Sequence, residues 1–74
     1  MNDIEMIPTI GSSTVDSIGY DEAMQILRVK FLKGGLYEYR NVPLMEFEQL
    51  RNAPSVGSYL ARNIKGSYPY DRIG

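Results

Sequence analysis

From Met24 to Leu32 apolar and polar residues alternate, with Leu27, Val29 and Phe31 on one side and Arg28 and Lys30 on the other. A period of two marks a strand with one buried face. The alternation resumes from Leu36 to Asn41, where Tyr37 and Tyr39 share one face and Leu36, Glu38 and Arg40 the other. Between the runs, Lys33-Gly34-Gly35-Leu36 supplies two adjacent residues that accept positive φ, which predicts a two-residue hairpin. Upstream, Ser13 to Tyr20 carries β-branched Thr14, Val15 and Ile18, predicting a first strand that ends in a turn at Gly19 to Glu22.

The period then lengthens. Asn41-Val42-Pro43 predicts a helix start, because proline suits the first turn and Glu46 and Glu48 follow; Leu44, Phe47 and Leu50 fall on one helical face. That helix stops near Asn52, since Ala53 precedes Pro54 and is pushed out of helical geometry. Ser55 is an N-cap for a second helix, and Val56, Tyr59, Leu60, Asn63 and Ile64 form its packed stripe up to Gly66. Tyr68-Pro69-Tyr70 leads into an extended C-terminus. The expected fold is α+β: a short antiparallel meander of about three strands, packed on one face by two C-terminal helices.

Length and composition bound this picture. Seventy-four residues hold one hydrophobic core, so we expect one domain over residues 12–74 preceded by a loosely attached arm, residues 1–11, that contains Pro8. Apolar residues at 43% and charged residues at 23% are globular usage, which argues against a disordered chain or a coiled coil. Cysteine and histidine are absent, which removes thiol nucleophiles, imidazole acid–base chemistry, disulfides and the usual zinc ligands. The opening MNDIEMIPTI carries acids where a signal peptide carries bases, and no apolar run approaches the roughly 18 residues of a membrane span. The expectation is a soluble, cytoplasmic protein with no membrane partner.

Net charge is only −1, but residues 1–25 hold five acids and no base, while residues 26–74 hold eight bases against four acids. The asymmetry marks either an anion-binding surface or solvated faces whose signs cancel in three dimensions.

Several runs together resemble the KTSC domain family. They are Ser12-Ser13, Ile18-Gly19-Tyr20-Asp21, Leu27-Arg28-Val29-Lys30-Phe31, Gly35-Leu36-Tyr37-Glu38-Tyr39, Val42-Pro43, Ala53-Pro54-Ser55-Val56-Gly57-Ser58-Tyr59 and Ile64-Lys65-Gly66-Ser67-Tyr68. The resemblance covers roughly residues 12 to 73. Such domains are appended to the C-terminus of some lysyl-tRNA synthetases and stand alone in bacteria and phages. The resemblance implies a fold and an association with RNA enzymes in some members. It carries over no catalytic residue, and a chain of this length has no room for an ATP and amino-acid site.

Candidate chemistry gathers at the second helix, whose first backbone N–H groups suit phosphate. Ser55, Gly57 and Ser58 form a small-residue approach, or simply a cap. Arg62 and Lys65 lie on later turns, so a second segment or subunit would complete a pocket. Tyr59, Tyr68 and Tyr70 are candidates to stack on a base, although Tyr68-Pro69-Tyr70 also reads as a strap over the core. Ser12 and Ser13 either donate to a polar ligand or cap their own turn. Gly34-Gly35 lacks the frame of a phosphate loop, and neither Asp21 with Glu22 nor Glu46 with Glu48 makes an acid–base pair.

The expected function is therefore a non-catalytic binding module with no cofactor and no metal. It would take a phosphate-bearing nucleotide, as a homo-oligomer that encloses its ligand, and the family's occurrence in phages suggests sequestration of a nucleotide signal. The alternatives are an RNA-binding accessory domain and a protein-interaction or inhibitor module.

Overall fold

The computed structural model describes residues 4–9 and 12–74. Five strands form one sheet in the order β1-β2-β3-β4-β5, every neighbour antiparallel: β1 Ile7–Pro8, β2 Val15–Asp21, β3 Ile26–Phe31, β4 Leu36–Tyr39 and β5 Tyr70–Arg72. Helix α1 (Leu44–Arg51) and helix α2 (Val56–Tyr59), which runs on into a π-helical stretch (Leu60–Ile64), follow β4. The α+β class, the meander and the two helices are as the periodicity predicts, with two further strands at the edges. Segments of two and three residues carry no detectable period, so β1 and β5 exist only through their partners.

Alternation on β3 works as predicted: Leu27 and Val29 are fully buried, while Arg28 faces outward, where its Nε donates to Glu38 Oε2 of β4 at 2.8 Å. On the helix side, Val15, Ile18, Leu27, Val29, Tyr39 and Val42 pack with Phe47, Leu50, Val56, Leu60 and Ile64 into one core. Tyr20 stacks on Phe47 with ring centroids 4.8 Å apart. Leu44, expected on the packed face of α1, is 37% exposed, and only Phe47 and Leu50 of that face are buried.

Three local expectations change. Gly19 lies inside β2 and not in a turn; the turn is Glu22–Gln25, opened by Asp21 Oδ1 accepting the N–H groups of Ala23 and Met24. The β3–β4 hairpin is longer than two residues. Gly34 N–H donates to Phe31 O and Phe31 N–H to Gly35 O, and both glycines take positive φ, +102° and +96°, which is a turn followed by a left-handed residue. Within the arm, Ile7–Pro8 are not loose but form a short strand that pairs with Ile18 and Ser17 of β2.

Ser55 caps α2 as expected, its Oγ accepting from Ser58 N–H. The π-helical stretch, in which Lys65 N–H donates to Leu60 O, departs from the simple stripe. In an unbroken α-helix Lys65, nine positions after buried Val56, would point about 180° away from it. The wider turn slows that rotation, keeps Ile64 in the core and brings Lys65 round to the sheet, with its Nζ 5.2 Å from the centroid of the Phe31 ring.

Candidate functional site

On the core-facing side of the sheet, where β3, β4 and β5 run out beyond the helices, a cleft of about 310 Å³ opens between Phe31, Gly34, Tyr37, Tyr39, Tyr70 and Lys65. Strand alternation places the aromatic residues on one face, and pairing brings them together: Val29 opposes Tyr37, and Tyr39 opposes Tyr70. Phe31 meets Tyr37 edge-on at 5.4 Å, while Tyr70 lies tilted against Tyr37 at 5.8 Å and Tyr39 at 5.5 Å. Tyr39 forms the floor at 2% exposure; Tyr70 at the mouth is 53% exposed. Above Phe31 the Lys65 ammonium makes a cation–π contact.

The electrostatics of the cleft are one-sided. Among the described residues no carboxylate lines it. Glu38 is paired with Arg28, and Asp71 with Arg40. Burial raises the Tyr39 phenol above its usual range, and the nearby Tyr70 and Tyr37 phenols add to the shift. The Tyr39 phenol is therefore a neutral hydrogen-bonding group at physiological pH. Arg72, beside Tyr37 in the register, adds a cation near the rim.

The sequence-predicted residues divide. Lys65 and Tyr70 line the cleft. Ser55, Ser58, Tyr59 and Arg62 line a separate groove of about 260 Å³ with Ala53, Pro54 and Asn63. Tyr68 is turned away from both, its hydroxyl donating to Glu46 Oε1 at 3.0 Å. Ser12 Oγ accepts from Val15 N–H at 3.0 Å and Thr14 N–H at 3.3 Å, capping the turn before β2, and Ser13 is exposed. The space beside Gly57 faces Thr14 and Ser12, 3.4 to 3.6 Å from where a Cβ would stand. Phe31, Gly34, Tyr37 and Tyr39 are not among the sequence candidates. The signal for them was the shared face of Tyr37 and Tyr39, which reads equally as core until strand register adds Phe31 and Tyr70.

The domain model for KTSC matches residues 11–68. The chain belongs to the KTSC family. The structure matches a crystal structure of a KTSC domain protein from Yersinia pestis with a TM-score of 0.91 and 32% identity, covering 97% of this chain and all of that one. An uncharacterised protein of Stutzerimonas stutzeri is 41% identical over 63 residues, 84% of this chain and 89% of that protein. A lysine–tRNA ligase of Nostoc is 39% identical over 61 residues, 82% of this chain. The KTSC chain spans about a tenth of the length of the curated ligases it matches, 11% in each of the three. Among the described residues no group of three or more His, Cys, Asp or Glu side chains is placed to hold a metal ion, and no helix is long and apolar enough to cross a membrane.

Proposed function

We propose that this KTSC chain is a non-catalytic binding module that takes a phosphate-bearing nucleotide in the cleft of β3, β4 and β5. The observation that carries the reading is the composition of that cleft, four aromatic rings and one ammonium with no carboxylate. An exposed aromatic ring such as Tyr70 offers a base a stacking partner, worth about 1 to 3 kcal/mol per base in known sites. Lys65 supplies the charge that phosphate needs. A cleft near the lower end of ligand-site volumes, about 300 Å³, suits one nucleotide. It holds no nucleophile activated by a base and no acid–base pair, which supports binding without turnover.

Isothermal titration with nucleotides tests this, comparing the wild type with Lys65→Ala and Tyr70→Ala. Both side chains are exposed, so each variant is expected to lose binding while keeping its urea midpoint. Arg62→Ala lies in the other groove and is expected to bind as the wild type does. If Arg62→Ala alone abolishes binding, the groove of Ser55, Ser58 and Tyr59 is the site instead. Native mass spectrometry of the purified protein reports retained nucleotide and subunit number together, and so tests the homo-oligomer as well.

A second reading, an RNA-binding accessory domain, is favoured by the likeness to part of lysine–tRNA ligases. It predicts that affinity for RNA falls steeply with salt, log K declining linearly with log salt concentration as counterions are released. An affinity that is insensitive to salt and confined to mononucleotides decides for the first reading.

A further inference from the structure

Tyr20, Tyr59 and Tyr68 each donate a hydroxyl hydrogen bond to a carbonyl or carboxylate oxygen. Tyr39 is more deeply buried than any of them, yet no described residue is hydrogen-bonded to its hydroxyl. Buried hydroxyls are nearly always partnered. Among the described residues no buried side-chain oxygen is left sealed without a partner, so the Tyr39 hydroxyl is reached from the cleft that its side chain lines. The hydroxyls of Tyr37 and Tyr70, on the same cleft, also have no partner among the described residues. With Lys65 they make a floor and wall of hydrogen-bond donors.

Resting on the nucleotide reading above, we propose that the Tyr39 hydroxyl, with those of Tyr37 and Tyr70 and the Lys65 ammonium, receives a terminal phosphomonoester, so that a nucleotide enters phosphate first with its base over the exposed Tyr70 ring. Three arguments select this class. Every charged group lining the cleft is a cation, and an ammonium can only donate. A terminal phosphate presents three free oxygens to these donors, and an internal diester only two. A floor made by a residue 2% exposed favours a chain end, because a strand that continues on both sides would have to bend its phosphate down to the floor and out again.

The test is isothermal titration of wild type, Tyr39→Phe and Tyr70→Ala with three probes: the 5′-ribonucleoside monophosphates, the matching nucleosides, and 3′,5′-dinucleoside monophosphates. We expect a monophosphate to bind at least about tenfold more tightly than the other two probes, and Tyr39→Phe to weaken it about tenfold, the usual scale for a hydrogen bond to a charged group. The urea midpoint of Tyr39→Phe should match the wild type, because its hydroxyl gives up no protein partner. Nucleoside binding as tightly as monophosphate, or Tyr39→Phe binding like the wild type, with Tyr70→Ala still abolishing binding, overturns phosphate-first entry and leaves the cleft as a nucleotide site. Absence of binding by all three probes overturns both.

Discussion

A Cβ built on Gly19 would stand 2.6 Å from Ile4 Cγ2, 2.7 Å from the Glu5 carbonyl oxygen and 2.8 Å from Met6 Sδ. Gly19 is therefore required by the close approach of the arm to β2, and not by a turn, although Gly19 to Glu22 reads as one in sequence. Nothing local could reveal this, since the contact joins residues fifteen apart whose meeting depends on β1 pairing. Gly19→Ala is expected to lose about 1 to 3 kcal/mol by overpacking, measured by urea denaturation. Gly66 is the control: it has no neighbour within 4 Å of a Cβ and no positive φ. There Gly66→Ala is expected to gain about 0.4 to 1 kcal/mol by restricting the unfolded chain. Equal midpoints for the two variants would mean that the arm does not rest on Gly19 in solution. Leu27, wholly buried, shows the opposite case, a residue whose role was legible from alternation alone. Leu27→Ala is expected to cost about 2 to 5 kcal/mol.

Among elements, the helices are tied together through one carboxylate. Glu46 on α1 accepts the hydroxyl of Tyr59, at the end of α2, and that of Tyr68, on the strap leading to β5. The Gln49 side-chain amide lies 2.9 Å from the same Tyr59 hydroxyl. The strap is held at its other end where Arg40 N–H donates to Pro69 O at 2.8 Å, so Lys65 and Tyr70, two walls of the cleft, are set by a segment pinned on both sides. Its hydrogen bond to Glu46, followed by burial, pushes the Tyr59 phenol from 10.0 up to about 12. A phenol whose folded pKa is raised stabilises the fold fully below its unfolded pKa, and that stability is lost as pH rises through the folded value. Urea midpoints of the wild type should therefore fall between pH 10 and about 12, and Glu46→Gln should flatten the fall. An unchanged slope in Glu46→Gln would place the alkaline loss on other groups. Helix spacing predicted both helices and the Ser55 cap, but not this tie. A tyrosine in a stripe reads as core, and only the crossing of α1 with α2 brings Glu46 under its hydroxyl.

Across the whole molecule, the five strands differ in what defines them. Of the three central strands, β3 and β4 were legible because an apolar or aromatic residue recurs at every second position, and β2 through its β-branched Val15 and Ile18, although a bulge between Val15 and Ser17 breaks its alternation. The edge strands carry no such signal: β5 is exposed throughout, and β1 is two residues long. They matter beyond their size. β5 brings Tyr70 to the cleft, which is why the aromatic face of Tyr37 and Tyr39 read as core alone. β1 covers the free edge of β2, with Pro8, which has no N–H to donate, at its last position. Thr9 extends the seal, its Oγ1 donating to Val15 O at 2.6 Å and its N–H to Asp16 O at 3.0 Å. An uncovered edge is a template for pairing with another chain. Deleting residues 1–9 should therefore lower the urea midpoint and make the domain self-associate with rising concentration, as read by light scattering. The cleft of β3, β4 and β5 lies toward the opposite edge, so if it takes the proposed nucleotide, the truncated domain should bind it as the full chain does wherever it remains folded. A truncated domain that keeps the subunit number and the midpoint of the full chain would show that β2 needs no cover, and that Gly19 serves some purpose other than the arm.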